Sequence, residues 1–554
     1  MELAPAALAT SSWNGAVAAG STTLAALALA ALYFLYAAWL SPALTRRRLQ
    51  RAGFGGPAPS FPLGNLPEIA ATLAAAPSTS ALAPAPGAIS SDIHGGVFPY
   101  FARWRGAFGK VFVYWLGTEP FLYVADPEFL KRATAGAMGR LWGKPDVFRR
   151  DRKPMFGRGL VMAEGEEWAR HRHVIAPAFS ATNLNDMIGL MEEATAKMLG
   201  EWGEAVAAAG RSAGAVVDVE RGVVRNAAEI IARASFGIEE EGGARVFEKL
   251  QAMQSMLFRS NRLVGVPLAK LLHVRKTYEA WRLGREIDAL LLDIINARRR
   301  SRAGQKRKDL LSLLLAAGDE GGKKRLMTSR ELVDECKTFF FGGHETTALA
   351  VSWTLLMLAA HPEWQRALRD ELREVTGDGP LDATALSKLT KMGWVLSEVL
   401  RLYPPSPNVQ RQALHDVTMY DDDDAAKDGA PPVVIPKGTN MWIDVVAMHH
   451  DEALWGPDAN EFRPERFAAG AQGGCRHRMG YLPFGFGGRI CVGRNLTGME
   501  YRVVLAMVLR RFELSVAPEY RHAPRIMLSL RPSDGIQLLL TPLAASCANA
   551  SLKH

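Results

Sequence analysis

The longest apolar run lies near the N-terminus. Every residue from Leu24 to Leu40 is apolar or aromatic, and no charge falls between Glu2 and Arg46. A helix of ~20 residues crosses ~30 Å of hydrocarbon, so Val17–Leu40 is long enough to span a membrane. Tyr33, Tyr36 and Trp39 gather at its C-terminal end, and Arg46, Arg47, Arg48 and Arg51 follow. That order predicts a retained signal-anchor with its basic end in the cytosol and its N-terminus in the lumen. A cleaved signal peptide fits less well, because the basic n-region is missing and the apolar run continues past Ala28-Leu29-Ala30.

Further along, the period of the pattern changes. Alternating runs over Lys110–Leu116 and Phe121–Val124 predict two strands joined by a turn at Gly117–Pro120, and Asp126-Pro127 opens a helix. From Asn183 to about Arg302, apolar positions recur three and four apart, which predicts long amphipathic helices. Residues 255–275 are more apolar than the rest, and read equally as core or as a membrane-facing lid. Thr328 with Glu331 forms a capping box, and the helix it starts continues from Leu332 to Leu358. A short helix carries Glu398 and Arg401 and stops at Pro404-Pro405. Strands are expected at Val433–Ile435, Asn440–Ala447, Ile526–Leu530 and Ile536–Leu540, with a helix over Leu496–Phe512. The fold class is therefore mainly α with small β-sheets.

Breaks in the pattern divide the chain into a lumenal end and anchor (1–41), a basic and Pro/Gly/Ala-rich linker (42–94), a catalytic body (95–542) and a polar tail (543–554). Pro57, Pro59, Pro62 and Pro67 stiffen the linker, and residues 70–90 predict a poorly ordered loop. Residues 301–308 read as a basic connector and Asp421–Asp424 as a solvated loop. In 554 residues, 48% apolar and 22% charged content describe an ordinary globular protein. The net charge of +9 sits in local basic runs that suit solvent, an acidic partner or an anionic leaflet. No zinc-finger spacing or other nucleic-acid motif occurs, so no nucleic-acid partner is expected. The four cysteines, Cys336, Cys475, Cys491 and Cys547, are too few for a disulfide framework and fit a reducing compartment.

Candidate chemistry concentrates in Phe484-Gly-Phe-Gly-Gly-Arg489-Ile-Cys491-Val-Gly493. Its glycines let backbone approach something large and flat. Cys491 can present a thiolate, and Arg489 can face an anion on the same ligand, a combination that suits haem. The long helix carries a second constellation, Gly342-Gly343-His344-Glu345-Thr346-Thr347. Interior glycines cost ~1 kcal/mol each, a cost repaid if a flat group lies against the helix there. Glu345 and Thr346 place a carboxylate beside a hydroxyl, which suits proton delivery during oxygen activation. His344 and Glu345 lack the second histidine of a zinc-protease motif. Trp168 and Arg172, at i and i+4, can both donate to one carboxylate, whereas His171 and His173 point apart and read as structural.

These motifs, in this order, resemble the cytochrome P-450 superfamily over about residues 95–542: Trp168/Arg172, Gly342–Thr347, Glu398/Arg401, Phe462–Phe467, then Phe484–Gly493. The stretches from Glu335 to Thr347 and His449 to Phe462 are similar to a plant clan. That clan contains cytokinin hydroxylases and enzymes acting on gibberellins and brassinosteroids. The resemblance implies haem b held between a long kinked helix and the Cys491 loop. It implies propionate contacts from Trp168, Arg172, Arg411 and Arg489, and packing of the cofactor against Phe484, Gly342 and Gly343. Glu345 and Thr346 would be catalytic, and Glu398, Arg401 and Arg466 would form a buried ion network beneath the loop. The implied activity is insertion of one atom of O2 into a lipophilic small molecule, an isoprenoid or hormone-like compound. Electrons would come from NADPH through NADPH–cytochrome P-450 reductase, at the endoplasmic reticulum membrane. Phe339, Phe340, Pro407, Asn408 and the Pro532-Ser533 turn are candidate substrate-pocket residues. The alternatives are a reductase-independent haem-thiolate isomerase or dehydratase, and a non-catalytic membrane haem or sterol carrier.

Overall fold

The computed structural model describes residues 22–75, 89–210, 214–238, 240–259, 263–301, 309–319, 327–377, 379–419 and 432–543. The apolar N-terminal run forms α1 (Thr22–Arg51), 30 residues long, with Leu24, Leu27, Leu29 and Leu32 each more than 60% exposed. A helix that leaves its leucines outside the protein core is suited to hydrocarbon. Residues 17–21 of the expected span, the connector from 302, Asp421–Asp424 and the tail from 544 lie outside the described residues.

The segment after α1 departs from a loose linker. Residues 70–75 are not loop but the end of α2 (Leu66–Ala75), and 76–88 lie outside the described residues. Asn65 is buried, accepts the Trp115 N–H at 2.9 Å and donates to the Ala58 carbonyl, while Val113 N–H bonds the Gly55 carbonyl. The segment thus runs along the Val111–Leu116 edge of a sheet, a position that tolerates prolines because their missing N–H need not enter a central ladder.

That sheet is built from β1 (Val111–Leu116), β2 (Glu119–Val124), β3 (Trp142–Gly143), β4 (Asn408–Ala413) and β5 (Asn440–Asp444), in the order β1-β2-β5-β4-β3. The β1–β2 hairpin turns where Gly117 adopts φ +61°, and only β2–β5 is parallel. Asp444 knits this region together, accepting from His94 Nε2 and Tyr123 Oη at 2.9 Å each.

The helical body contains α3 (Gly165–Ile175), α4 (Val219–Phe236), α5 (Glu240–Arg259), α6 (Val274–Ser301), α7 (Ser329–Ala360), α8 (Thr390–Leu402) and α9 (Arg494–Arg511). Central to it is α7, whose Thr328 capping box is formed in both directions. It is buried along nearly its whole length and shows no break at the two glycines. Its C-terminal half, from Ala348 to Ala360, is almost wholly apolar and belongs in the interior of a large core, while its N-terminal half buries Asp334, Glu335, Lys337, His344 and Glu345. Gly343 allows α4 to come close, since a Cβ there would lie 2.6 Å from Ile231 Cδ1. Strands β6 (Pro524–Met527) and β7 (Ser529–Pro532) form a hairpin whose turn residue Leu528 has φ +71°.

In the apolar 255–275 region, α5 buries Leu257 against the core, while Leu268 and Leu271 are exposed. Val274, Tyr278 and Trp281 at the start of α6 extend the exposed patch. The region thus supplies both core and an outward apolar surface.

Candidate active site

One cavity of about 390 Å³ gathers residues from distant parts of the chain: Lys144, Phe148, Arg152 and Phe156; Thr338, Phe341, Gly342, Glu345 and Thr346 on α7; Ser406 and Asn408–Arg411 at β4; Phe484, Gly485, Arg489 and Cys491; and Leu528-Ser529. The volume lies in the range of small-molecule and cofactor sites, ~300–1,000 Å³.

The Cys491 loop forms because Gly485 and Gly487 take left-handed φ of +74° and +64°, which turns the chain around the sulfur. Cys491 N–H closes the loop on the Phe484 carbonyl at 2.9 Å. The sulfur's exposed surface is cavity wall, not bulk solvent. Burial raises the thiol pKa, while the Gly493 and Arg494 N–H groups and the Arg172 guanidinium pull it down. Those N–H groups belong to the first turn of α9, so the helix end stabilises negative charge on the sulfur.

Around this sulfur the cations outnumber the anions. Arg489 reaches Glu164 Oε2 at 2.5 Å and the Ala163 carbonyl at 3.0 Å, and it lies over the Trp168 ring at 4.8 Å. Arg411 is 6% exposed; burial and the neighbouring Arg489 lower its pKa to about 10. Lys144, which the sequence reading missed, is pushed well below the usual lysine range by burial and by Arg411 and Arg489. Glu164 is the one carboxylate acting on all three cations. Desolvated cations persist only with partners, so this set fits a ligand bearing carboxylates. A thiolate-presenting loop beside it fits the iron of haem. Trp168 and Arg172 do not line the cavity: Trp168 supports Arg489, and Arg172 donates to the Ile490 carbonyl at 3.0 Å.

The α7 wall consists of Thr338, Phe341, Gly342, Glu345 and Thr346, spaced i, i+3, i+4, i+7 and i+8. Gly342 is open to the cavity, with no atom near a Cβ position, whereas Gly343 faces Ile231 and does not line it. Thr346 Oγ1 donates to the Gly342 carbonyl at 2.9 Å. Phe339 and Phe340 are not pocket residues: they stack on Phe179 and Phe236 at 5.5 and 4.4 Å, inside the core. Phe341 takes their place, edge-on to Phe156 at 5.5 Å. The helical phase fixed by Gly342 and Thr346 already contained that answer. Asn408 lines the cavity and Pro407 does not. The hairpin reaches the cavity through Leu528-Ser529, not through Pro532-Ser533.

Glu345 is 1% exposed and lies within a network that sequence reasoning did not anticipate. Its Oε1 accepts from Ser529 Oγ at 2.6 Å and Gln254 Nε2 at 3.0 Å, with Arg531 Nη1 at 3.7 Å. Arg531 also bonds Glu220 at 2.8 Å. Burial raises the Glu345 pKa, but Arg531, His344 and these donors outweigh it and hold the carboxyl low.

Below the loop, Arg401 forms a bidentate pair with Glu398 at 2.7 and 2.8 Å, both side chains fully buried. Its remaining N–H groups reach the His449, Ala459 and Glu461 carbonyls. Arg466 joins at 3.5 Å from Glu398 and 2.9 Å from Asp458, the latter a member the sequence reading missed. His171 is structural, its Nδ1 2.5 Å from Glu335 on α7.

A mainly helical body that places Cys491 and an α7 acid–alcohol pair on the wall of one cavity defines a haem-thiolate protein of the cytochrome P-450 type. The cytochrome P-450 family model matches residues 88–540, and the chain belongs to that family. Cytochrome P-450 714C2 of Oryza sativa subsp. japonica is 35% identical, over 91% of this chain and 94% of its own length. A cytokinin hydroxylase of Arabidopsis thaliana is 36% identical over 91% and 94%. Cytochrome P-450 734A6 of Oryza sativa subsp. japonica is 35% identical over 92% and 93%. The protein is a cytochrome P-450 monooxygenase; its family implies haem, a redox partner, O2 and a substrate. Its N-terminal apolar helix fits the single-pass anchor of plant relatives.

Proposed function

We propose that the protein inserts one oxygen atom into a lipophilic, isoprenoid or hormone-like small molecule, with NADPH electrons delivered by NADPH–cytochrome P-450 reductase. The observation that carries this reading is a single cavity lined by both Cys491 and the Glu345–Thr346 pair. Haem, when bound, supplies the iron at which dioxygen is reduced and one of its atoms passed to substrate. Cys491 would be its ligand, and Arg411, Arg489 and Lys144 would take its carboxylates, with Trp168 and Arg172 bracing Arg489 and the loop. The Thr346 hydroxyl, its own proton committed to Gly342, accepts a hydrogen bond from water. The second hydrogen of that water can face the cavity, and Glu345, when it holds a proton, would replace the one the water gives up. Phe148, Phe156, Val161, Phe341, Val409 and Leu528 give the cavity an apolar lining that excludes water and favours a lipophile.

The relatives that support this substrate class include proteins named for cytokinin hydroxylation. The anchor and the basic Arg46–Arg51 segment support a cytosolic body on the endoplasmic reticulum, with the N-terminus lumenal. Exposed Arg476, Arg478 and Arg494 flank the thiolate loop in sequence and would meet an acidic reductase. The test is turnover in vesicles with reductase, NADPH and 18O2 against a panel of isoprenoid hormones. The proposal predicts a product carrying one labelled oxygen, formed only with NADPH and reductase. Conversion without either would favour the isomerase or dehydratase reading.

A further inference from the structure

His344 has so far entered only as a neighbour that lowers the Glu345 pKa, yet its own surroundings are specific. It is 1% exposed, with Phe247 and Phe341 edge-on to its ring at 4.4 and 6.0 Å. Its Nδ1 lies 2.5 Å from the Phe340 carbonyl. A carbonyl only accepts, so Nδ1 carries a proton, and neutral His344 presents a bare lone pair at Nε2. That Nε2 lies 3.6 Å from Glu345 Oε2, just beyond hydrogen-bond distance, so the two must draw a few tenths of an ångström closer to share a proton. Among the described residues neither atom has a hydrogen-bond partner, although both are buried. The other carboxyl oxygen, Oε1, already takes Ser529 and Gln254.

Burial lowers the His344 pKa, and Arg531 with the Oε1 donors lowers that of Glu345. If each group simply followed its own direction, two lone pairs would face each other in a low-dielectric interior. Such a contact is unfavourable, and one proton between the atoms removes it.

The geometry points to His344 as a positioning residue that shares a single proton with Glu345, between Nε2 and Oε2, so that the proton-delivering unit is a histidine–carboxyl pair. The transfer conserves charge: imidazolium with carboxylate becomes neutral imidazole with carboxylic acid, and once Glu345 has passed that proton on, the pair is left as neutral imidazole with carboxylate until water supplies the next one. The charged groups facing the pair are Arg531 from β7, then Glu220 on α4, with Asp218 at the α4 N-terminus behind it. Among the described residues, α5 presents the neutral Gln254 and Phe247 to the pair. This step rests on the proposed function for its use in turnover, but not for its existence.

The test is pH-difference infrared spectroscopy on the full-length holoenzyme, with 15N-labelled histidine. Glu345→Gln assigns the carboxyl band and His344→Gln assigns the ring band. In the wild type the two bands change together, as one proton event. In His344→Leu the carboxyl midpoint falls by about one pH unit or more, roughly tenfold in proton affinity, because the second acceptor that helped to hold the proton is gone. The high-pH loss of coupling between NADPH use and product shifts in parallel. A carboxyl band that titrates with no histidine change in the wild type, or that keeps its midpoint in His344→Leu, would overturn the inference. If the bands move together in an enzyme without oxygenase turnover, the shared proton stands and the proposed function falls.

Discussion

Thr346 donates to the Gly342 carbonyl and keeps its lone pairs for the cavity. Thr346→Ala removes the hydroxyl without touching the haem-holding residues. Haem content should be unchanged while NADPH electrons pass to peroxide, and product per NADPH should fall about tenfold or more, as read by parallel peroxide and product assays. Arg401 is a different case. Its guanidinium satisfies both oxygens of Glu398 and three carbonyls at once. A lysine cannot reproduce that fork, so Arg401→Lys should cost roughly 3–5 kcal/mol and lower haem retention in a denaturant titration. Most residues that matter were legible because their spacing is unusual. The misreadings were of phase: Phe339 and Phe340 are near the Gly342–Thr346 motif in sequence, but only Phe341 shares its face. Lys144 carried no signal, since an isolated lysine before a proline looks like surface until the fold buries it.

The helix after the thiolate loop, α9, contains a carboxyl at odds with its surroundings. Glu500 is 1% exposed, its Oε2 has no hydrogen-bond partner among the described residues, and burial raises its pKa to about 8. A carboxyl whose folded pKa lies above its unfolded value makes the fold lose stability as pH rises from near 4.5 to about 8. Glu500→Gln should therefore stabilise the protein at pH 8, by on the order of 3 kcal/mol, and leave it nearly unchanged at pH 4.5. Thermal melts at the two pH values check this; equal shifts at both would contradict it. Elements with strong periodicity, such as α7 and the β1–β2 hairpin, were readable along the chain. Helix α2 was not, because its alanines carry no apolar stripe and its contacts come from the helix at Pro99–Phe108, where Trp104 donates to Glu68.

At the scale of the whole molecule, apolar side chains gather outward, among the described residues, on α1 and on the patch of Leu268, Leu271, Val274, Tyr278 and Trp281. Exposed patches of this kind mark lipid or protein contacts. A protein lacking residues 1–40 should still sediment with lipid vesicles, and Leu268→Ser, Leu271→Ser and Trp281→Ser together should release it. Unchanged sedimentation would remove the patch from the membrane surface. The anchor was legible from composition alone, whereas the second patch needed the fold, because its residues read equally as core. The cavity is the least local feature of all. Five separated segments build it, and only their shared chemistry hinted that they meet. Everything assigned to it depends on the Cys491 sulfur reaching a haem iron. The most direct measurement is the absorption spectrum of the reduced, carbon monoxide-bound protein. The wild type should show the red-shifted band of a thiolate-ligated haem and Cys491→Ala should lose it; a variant that kept that band would contradict the account.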